Sequence, residues 1–92
     1  MKKFVIEREI PGVETLAGDA LRGAAATSND ALARLAPRVQ WLESFVTPGK
    51  TFCIYLADDA ESVHEHARLS GFPANRVSEV ARVIDPTTAV CG

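Results

Sequence analysis

Val39-Gln-Trp-Leu-Glu-Ser-Phe-Val-Thr-Pro-Gly-Lys-Thr-Phe-Cys-Ile-Tyr-Leu-Ala57 is the stretch that organises the chain. Two apolar runs, Val39 to Val46 and Thr51 to Ala57, flank Thr47-Pro48-Gly49-Lys50. Proline fixes one backbone angle of a tight turn and glycine supplies the conformation other residues resist, so the stretch reads as a β-hairpin. Strict alternation would put Val39, Trp41, Glu43 and Phe45 on one face of its first strand. On its second, Phe52, Ile54 and Leu56 would oppose Thr51, Cys53, Tyr55 and Ala57.

Working outward, each side of the hairpin carries a helix and then a strand. Phe4 to Ile10 alternates as a strand ending at Pro11-Gly12, with Phe4, Ile6, Arg8 and Ile10 on one face and Val5, Glu7 and Glu9 on the other. From about Leu16 to Ala36 the period becomes helical, through Leu21, Ala24 or Ala25, Ser28, Leu32 and Leu35; Thr15 is a candidate cap and Pro37 a stop. Asp58 or Asp59 can cap a second helix that runs to Ser70 and closes at Gly71. Val77 to Ile84 alternates as a last strand, and residues 86–92 have no period. The order strand, helix, strand, strand, helix, strand predicts an α+β, ferredoxin-like βαββαβ sandwich, a four-stranded antiparallel sheet with two helices on one face. Such a fold leaves one sheet face bare. With Trp41 and Tyr55 on it, that face would be apolar enough to pair with a second copy.

At 92 residues there is room for one domain, with its core at about residues 3–85. Ten Lys and Arg against twelve Asp and Glu, without a basic block, exclude the concentrated positive surface that nucleic-acid binding requires. The apolar runs are far shorter than the roughly 20 residues of a membrane helix, and charges interrupt the start Met-Lys-Lys-Phe-Val-Ile-Glu before a secretory core can form, so the expected location is the cytoplasm. Cys53 in an apolar strand and Cys91 near the end read as reduced thiols, not as a disulfide framework.

Both histidines fall in Asp58-Asp-Ala-Glu-Ser-Val-His-Glu-His-Ala67, with four carboxylates and no basic residue. Imidazole and carboxylate suit nickel, zinc, cobalt or iron. In a helix, however, His64 and His66 do not share a face, so one ion held by both is a poor fit to the spacing. Glu7 and Glu9 share a strand face, as metal oxygens, an acid/base pair or salt-bridge partners of Arg76 or Arg82. Glu43, grouped with Trp41, has the same ambiguity, and Tyr55 is a hydrogen-bond donor for either a pocket or an interface. Cys53 lacks a Cys-x-x-Cys partner, and there is no nucleophile elbow, phosphate-binding glycine loop or dinucleotide motif, which leaves little basis for an enzyme.

Phe4-Val-Ile-Glu-Arg-Glu-Ile-Pro-Gly12, Trp41 with Phe45-Val46, Cys53-Ile-Tyr55, and above all His64-Glu-His-Ala-Arg68 followed by Gly71-Phe-Pro-Ala-Asn-Arg-Val-Ser-Glu-Val80 resemble a bacterial family of small domains of unknown function that includes a nickel-binding protein. The resemblance spans Phe4 to about Thr88. It implies a ferredoxin-like homodimer that binds nickel, with His64 and His66 as imidazole ligands, Glu7 and Glu9 as oxygen donors, and Trp41 and Tyr55 supporting the region between sheets. It implies no reaction. The expectation is therefore divalent-metal binding, nickel before zinc or cobalt. The alternatives are a small enzyme or organic-ligand-binding protein using a helix–sheet cleft with Tyr55, His64 and Glu7, and a metal-independent interaction module.

Overall fold

The computed structural model of the chain describes residues 1–91, with side chains to residue 90; the Cys91 thiol lies outside the described residues. In chain order the elements are β1 (Lys2–Glu9), a 3-10 turn (Val13–Thr15), α1 (Gly18–Leu35), β2 (Val39–Thr47), β3 (Lys50–Ala57), α2 (Ala60–Ser70), β4 (Arg76–Glu79) and a short α3 (Thr88–Cys91). The strands form one antiparallel sheet in the order β2-β3-β1-β4. With α1 and α2 on it, this is the ferredoxin-like α+β sandwich that the sequence predicts.

The hairpin closes at Gly49, whose φ of 73° needs a residue without a side chain. Ile10 N–H donates to the Gly49 carbonyl, and Gly49 N–H to Glu14, so the turn is tied to the segment after β1. Asp59 caps α2 by accepting from Ser62 N–H at 2.8 Å, and Gly71, at φ 81°, ends the helix. Thr15 does not cap α1. It closes the 3-10 turn by donating to the Gly12 carbonyl, and the N-cap of α1 is Ala17, without a side-chain bond.

The core is one cluster of Phe4, Ile6, Leu35, Val39, Cys53, Tyr55, Ala57 and Val63 between sheet and helices. Register places Phe4 opposite Tyr55 and Ile6 opposite Cys53, so the odd-numbered residues of β3 face the helices with the even-numbered residues of β1. Tyr55 is therefore a core residue, 2% exposed, and not part of the open face.

Trp41 is corrected in the same direction, for a reason alternation cannot foresee. It pairs with Tyr55, but the next pair is Glu43 with Ile54: the register slips at Leu42, a β-bulge. The extra residue reverses the facing of the rest of the strand. Val39, Trp41, Ser44 and Val46 face the helices; Glu43 and Phe45 face away. Trp41 Nε1–H donates to Ser44 Oγ at 3.0 Å across the bulge.

The last strand is shorter than its alternation suggests. β4 pairs Glu79 with Phe4, and Val80 N–H donates to the Lys3 carbonyl; beyond that, β1 offers almost no backbone to pair with. Ala81 to Val90 leaves the sheet and lies exposed, Val83 and Ile84 included.

Candidate functional site

The expected metal donors lie on different sides of the molecule. Glu7 and Glu9 are on the bare face of β1, whereas His64 and His66 belong to α2 on the covered face. Glu7 accepts from Lys50 Nζ at 2.8 Å, which holds its carboxyl below the ordinary range. Its partner is this cross-strand lysine, not Arg76 or Arg82. Glu9 is exposed and lies beside Asn75, whose Oδ1 accepts from Glu9 N–H. Glu43 is exposed on the same bare face.

The two histidines have opposite environments. His64 is exposed; His66 is fully buried. His66 Nε2–H donates to the Ser28 carbonyl at 3.3 Å, and its ring meets Tyr55 edge-on at 5.0 Å. Burial disfavours the imidazolium and pushes the His66 pKa down; the Ser28 carbonyl opposes that shift, and the nearby Arg8 charge adds to it. Nδ1 is left without a partner.

The acidic segment is less free than its composition suggests. Asp59 is committed to the helix cap, and Glu65 pairs with Arg68. The smaller cleft bordered by Asp59, Glu61, Ser62 and Glu65 also contains Arg38, a cation where a metal would need a donor. Among the described residues no three His, Cys, Asp or Glu side chains group as a metal site. His64, His66, Glu7 and Glu9 thus do not form a preformed nickel site in one copy. The exposed His64, with Glu61 one helical turn before it, is what α2 offers to solvent.

The built cavity lies elsewhere. A cleft of about 450 Å³ opens between the first half of α1 and the covered face of the sheet. Its walls are largely apolar: Val13, Leu16, Leu21, Trp41, Val46 and Phe72. Leu21, expected in the packed stripe of α1, is 45% exposed because this half of the helix borders the cleft instead of the core. Cys53 lies on the wall, buried, its Sγ directed at Thr51 Oγ1.

Polar groups are few and placed together. Tyr55 Oη lies 3.5 Å from Ser28 Oγ, and burial pushes its phenol pKa up. Arg8 is only 2% exposed. Its Nη1 donates to the Pro73 carbonyl at 2.6 Å, while Nη2 is buried without a partner. The guanidinium carbon is 5.9 Å from the ring centres of both Tyr55 and Phe72. Of the three polar groups expected in this cleft, only Tyr55 lines it; His64 and Glu7 do not. Arg8 and Ser28 are the residues sequence reasoning missed. The signal for Arg8 was present, a cation in phase with Phe4 and Ile6 on the apolar face of β1.

Comparison with known proteins agrees with the architecture. A family described as "Nickel responsive protein SCO4226-like" matches residues 4–80. The crystal structure of SCO4226 from Streptomyces coelicolor A3(2) aligns with a TM-score of 0.73 at 20% identity, covering 89% of this chain and 99% of that one; at this identity the likeness establishes the fold. The chain matches no curated protein.

Proposed function

The chain belongs to the SCO4226-like family, and from that premise we propose that it is a small cytoplasmic homodimer that binds divalent transition metal, nickel in preference to zinc or cobalt. The family match over residues 4–80 carries this reading. The geometry narrows it. His64 is the exposed imidazole and the anchoring donor, Glu61 is its neighbour on the helix surface, and water or a second copy completes the coordination. His66 is fully buried with Nε2–H committed to the Ser28 carbonyl, so only its Nδ1 is free to ligate, and solvent metal does not reach it without opening the core. Such a site suits metal sensing or buffering better than catalysis. No helix among the described residues is long and apolar enough to cross a membrane.

Dimerisation is supported by the bare sheet face. Val5 pairs with Ile54 and Phe52 with Phe45 there, an apolar centre bordered by Lys3, Glu7, Glu43 and Lys50. Phe45 is 54% exposed, and the arm beyond β4 carries Val83 and Ile84, each more than 70% exposed. An apolar centre with a charged rim has the anatomy of an interface between copies.

Nickel titration calorimetry on tag-free, metal-stripped protein tests the metal reading. Saturable binding is expected, with zinc and cobalt competing, and His64→Ala should abolish it. Binding undiminished in His64→Ala would overturn the anchor. Absence of binding, checked by equilibrium dialysis against a silent enthalpy, would overturn the function.

A further inference from the structure

The covered face of the sheet holds a feature that metal binding does not use. Arg8 is a fully charged side chain taken out of water, yet no carboxylate among the described residues partners it. The ion pairs among those residues are Lys2–Glu79, Arg22–Asp19, Lys50–Glu7 and Arg68–Glu65, all on the surface. Burying a cation costs several kcal/mol unless an anion and hydrogen bonds compensate. Here the compensation is incomplete: one short bond to the Pro73 carbonyl, a longer approach to the Phe72 carbonyl, two aromatic faces and the neighbouring Tyr55 hydroxyl, with Nη2 left over.

Arg8 is also one of the residues that line the cleft, and the cleft is of a size that binds small molecules. The rest of the lining says what kind. Leucine, valine, alanine and tryptophan side chains from α1 and β2 require an apolar body. Ser28, Ser44 and Thr51 add neutral hydroxyls, and no carboxylate among the described residues lines the cavity to repel an anion. With Nη1 held by the Pro73 carbonyl, the donor left over is Nη2, and a charged N–H group of this kind is matched by a carboxylate oxygen.

We propose that the cleft between α1 and the sheet is a binding site for an amphipathic carboxylic acid, whose carboxylate meets Arg8 and whose hydrocarbon or aryl body lies between Leu21, Val13 and Trp41. The site is independent of the metal reading, since His64 is not among its lining residues. Tyr55, held at the Ser28 end of the cavity floor, offers a phenol to the same head group. Leu16 and Leu21 stand partly exposed at the border of the cleft, where the apolar body would cover them.

The test is calorimetry and amide chemical-shift mapping with octanoate and naphthalene-2-carboxylate, each set against its primary amide, on the full chain. The acids should bind, with shifts at Arg8, Ser28 and Tyr55, and the neutral amides at least about tenfold more weakly. Arg8→Met, which removes the charge at similar length, should remove the preference for the acid. Ala25→Phe, which fills the cavity from α1, should abolish binding of acid and amide alike, and it keeps the test valid if the first variant does not fold. His64→Ala should bind the acids as the parent does, which separates this result from the fate of the nickel site. Equal affinity for acid and amide, acid binding undiminished in Arg8→Met or Ala25→Phe, acid binding lost in His64→Ala, or no binding of either acid would each overturn the proposal.

Discussion

The two faces of the sheet treat charge in opposite ways, and β1 runs through both. Glu7, on the bare face, meets Lys50 at 2.8 Å with both side chains reaching water. Arg8, the next residue, points to the covered face and is buried without an anion. Adjacent residues of one strand therefore have opposite electrostatic situations because the pleat sends them to opposite sides. On the bare face Glu7 is paired within the chain, and the centre left uncovered is apolar. The covered face is apolar-satisfied, and what it leaves uncompensated is one positive charge. The two proposed partners divide accordingly: a second copy on one side, a carboxylate on the other.

The largest effect that distinguishes the faces is expected from paired truncations. Ile6 is fully buried on the covered face, and Ile6→Ala should destabilise the fold by about 2–5 kcal/mol, read as a fall in the denaturation midpoint at every protein concentration. On the bare face, Ile54→Asp should act through association: a monomer by sedimentation velocity, with the far-ultraviolet spectrum retained. An Ile54→Asp protein that stays dimeric would remove the bare face from the interface and with it half of the comparison.

A smaller effect is expected from pH. Burial lowers the His66 pKa below its ordinary 6.5, so the folded protein holds the neutral ring where the unfolded chain would take up a proton. The unfolded state then binds more protons, and stability is fully present above about 6.5, declining as pH falls through the window between the ordinary value and the lowered one. Chemical denaturation across that window should show the decline in the parent and lose that component in His66→Gln.

Legibility from residues alone divides along the same lines. Hairpin, the ends of α2 and sandwich order are legible because each has local chemistry behind it: Pro48-Gly49 for the turn, Asp59 for the cap and Gly71 for the exit. Which residues share a face is legible on β1 and β3, where alternation is unbroken, but not which side of β3 meets the helices, and so Tyr55 is expected on the open face and found in the core. On β2 they are not, because the bulge at Leu42 is one residue of slippage without a sequence mark of its own, and it decides whether Trp41 lines a cavity or a bare surface. Alternation overstates the length of β4 because pairing ends where the neighbouring strand ends, a property of β1 and not of Val80 to Ile84. Spacing separates His64 and His66 onto different sides of their helix, but it cannot tell which one enters the core. The cleft is legible only as a cation in an apolar phase at Arg8, since cavity walls come from segments far apart in the chain.

The smallest effect expected is also the one that closes the comparison of Glu7 with Arg8. The hydrogen bond from Lys50 lowers the Glu7 pKa, so whatever this pair adds is present above the ordinary carboxylate range and lost as pH falls through the lowered value. Both groups reach water, where ions and solvent screen the attraction. Glu7→Gln in the Ile54→Asp background should therefore leave the thermal midpoint within experimental error of its parent, at low and high salt alike. In the proposed dimer the same substitution would face a second copy, and a change in the association constant that depends on salt is the expected result. If Glu7→Gln instead lowered the midpoint of the monomer as far as Ile6→Ala does, the bare face would be carrying the fold, and the contrast between a structural face and a docking face would fail.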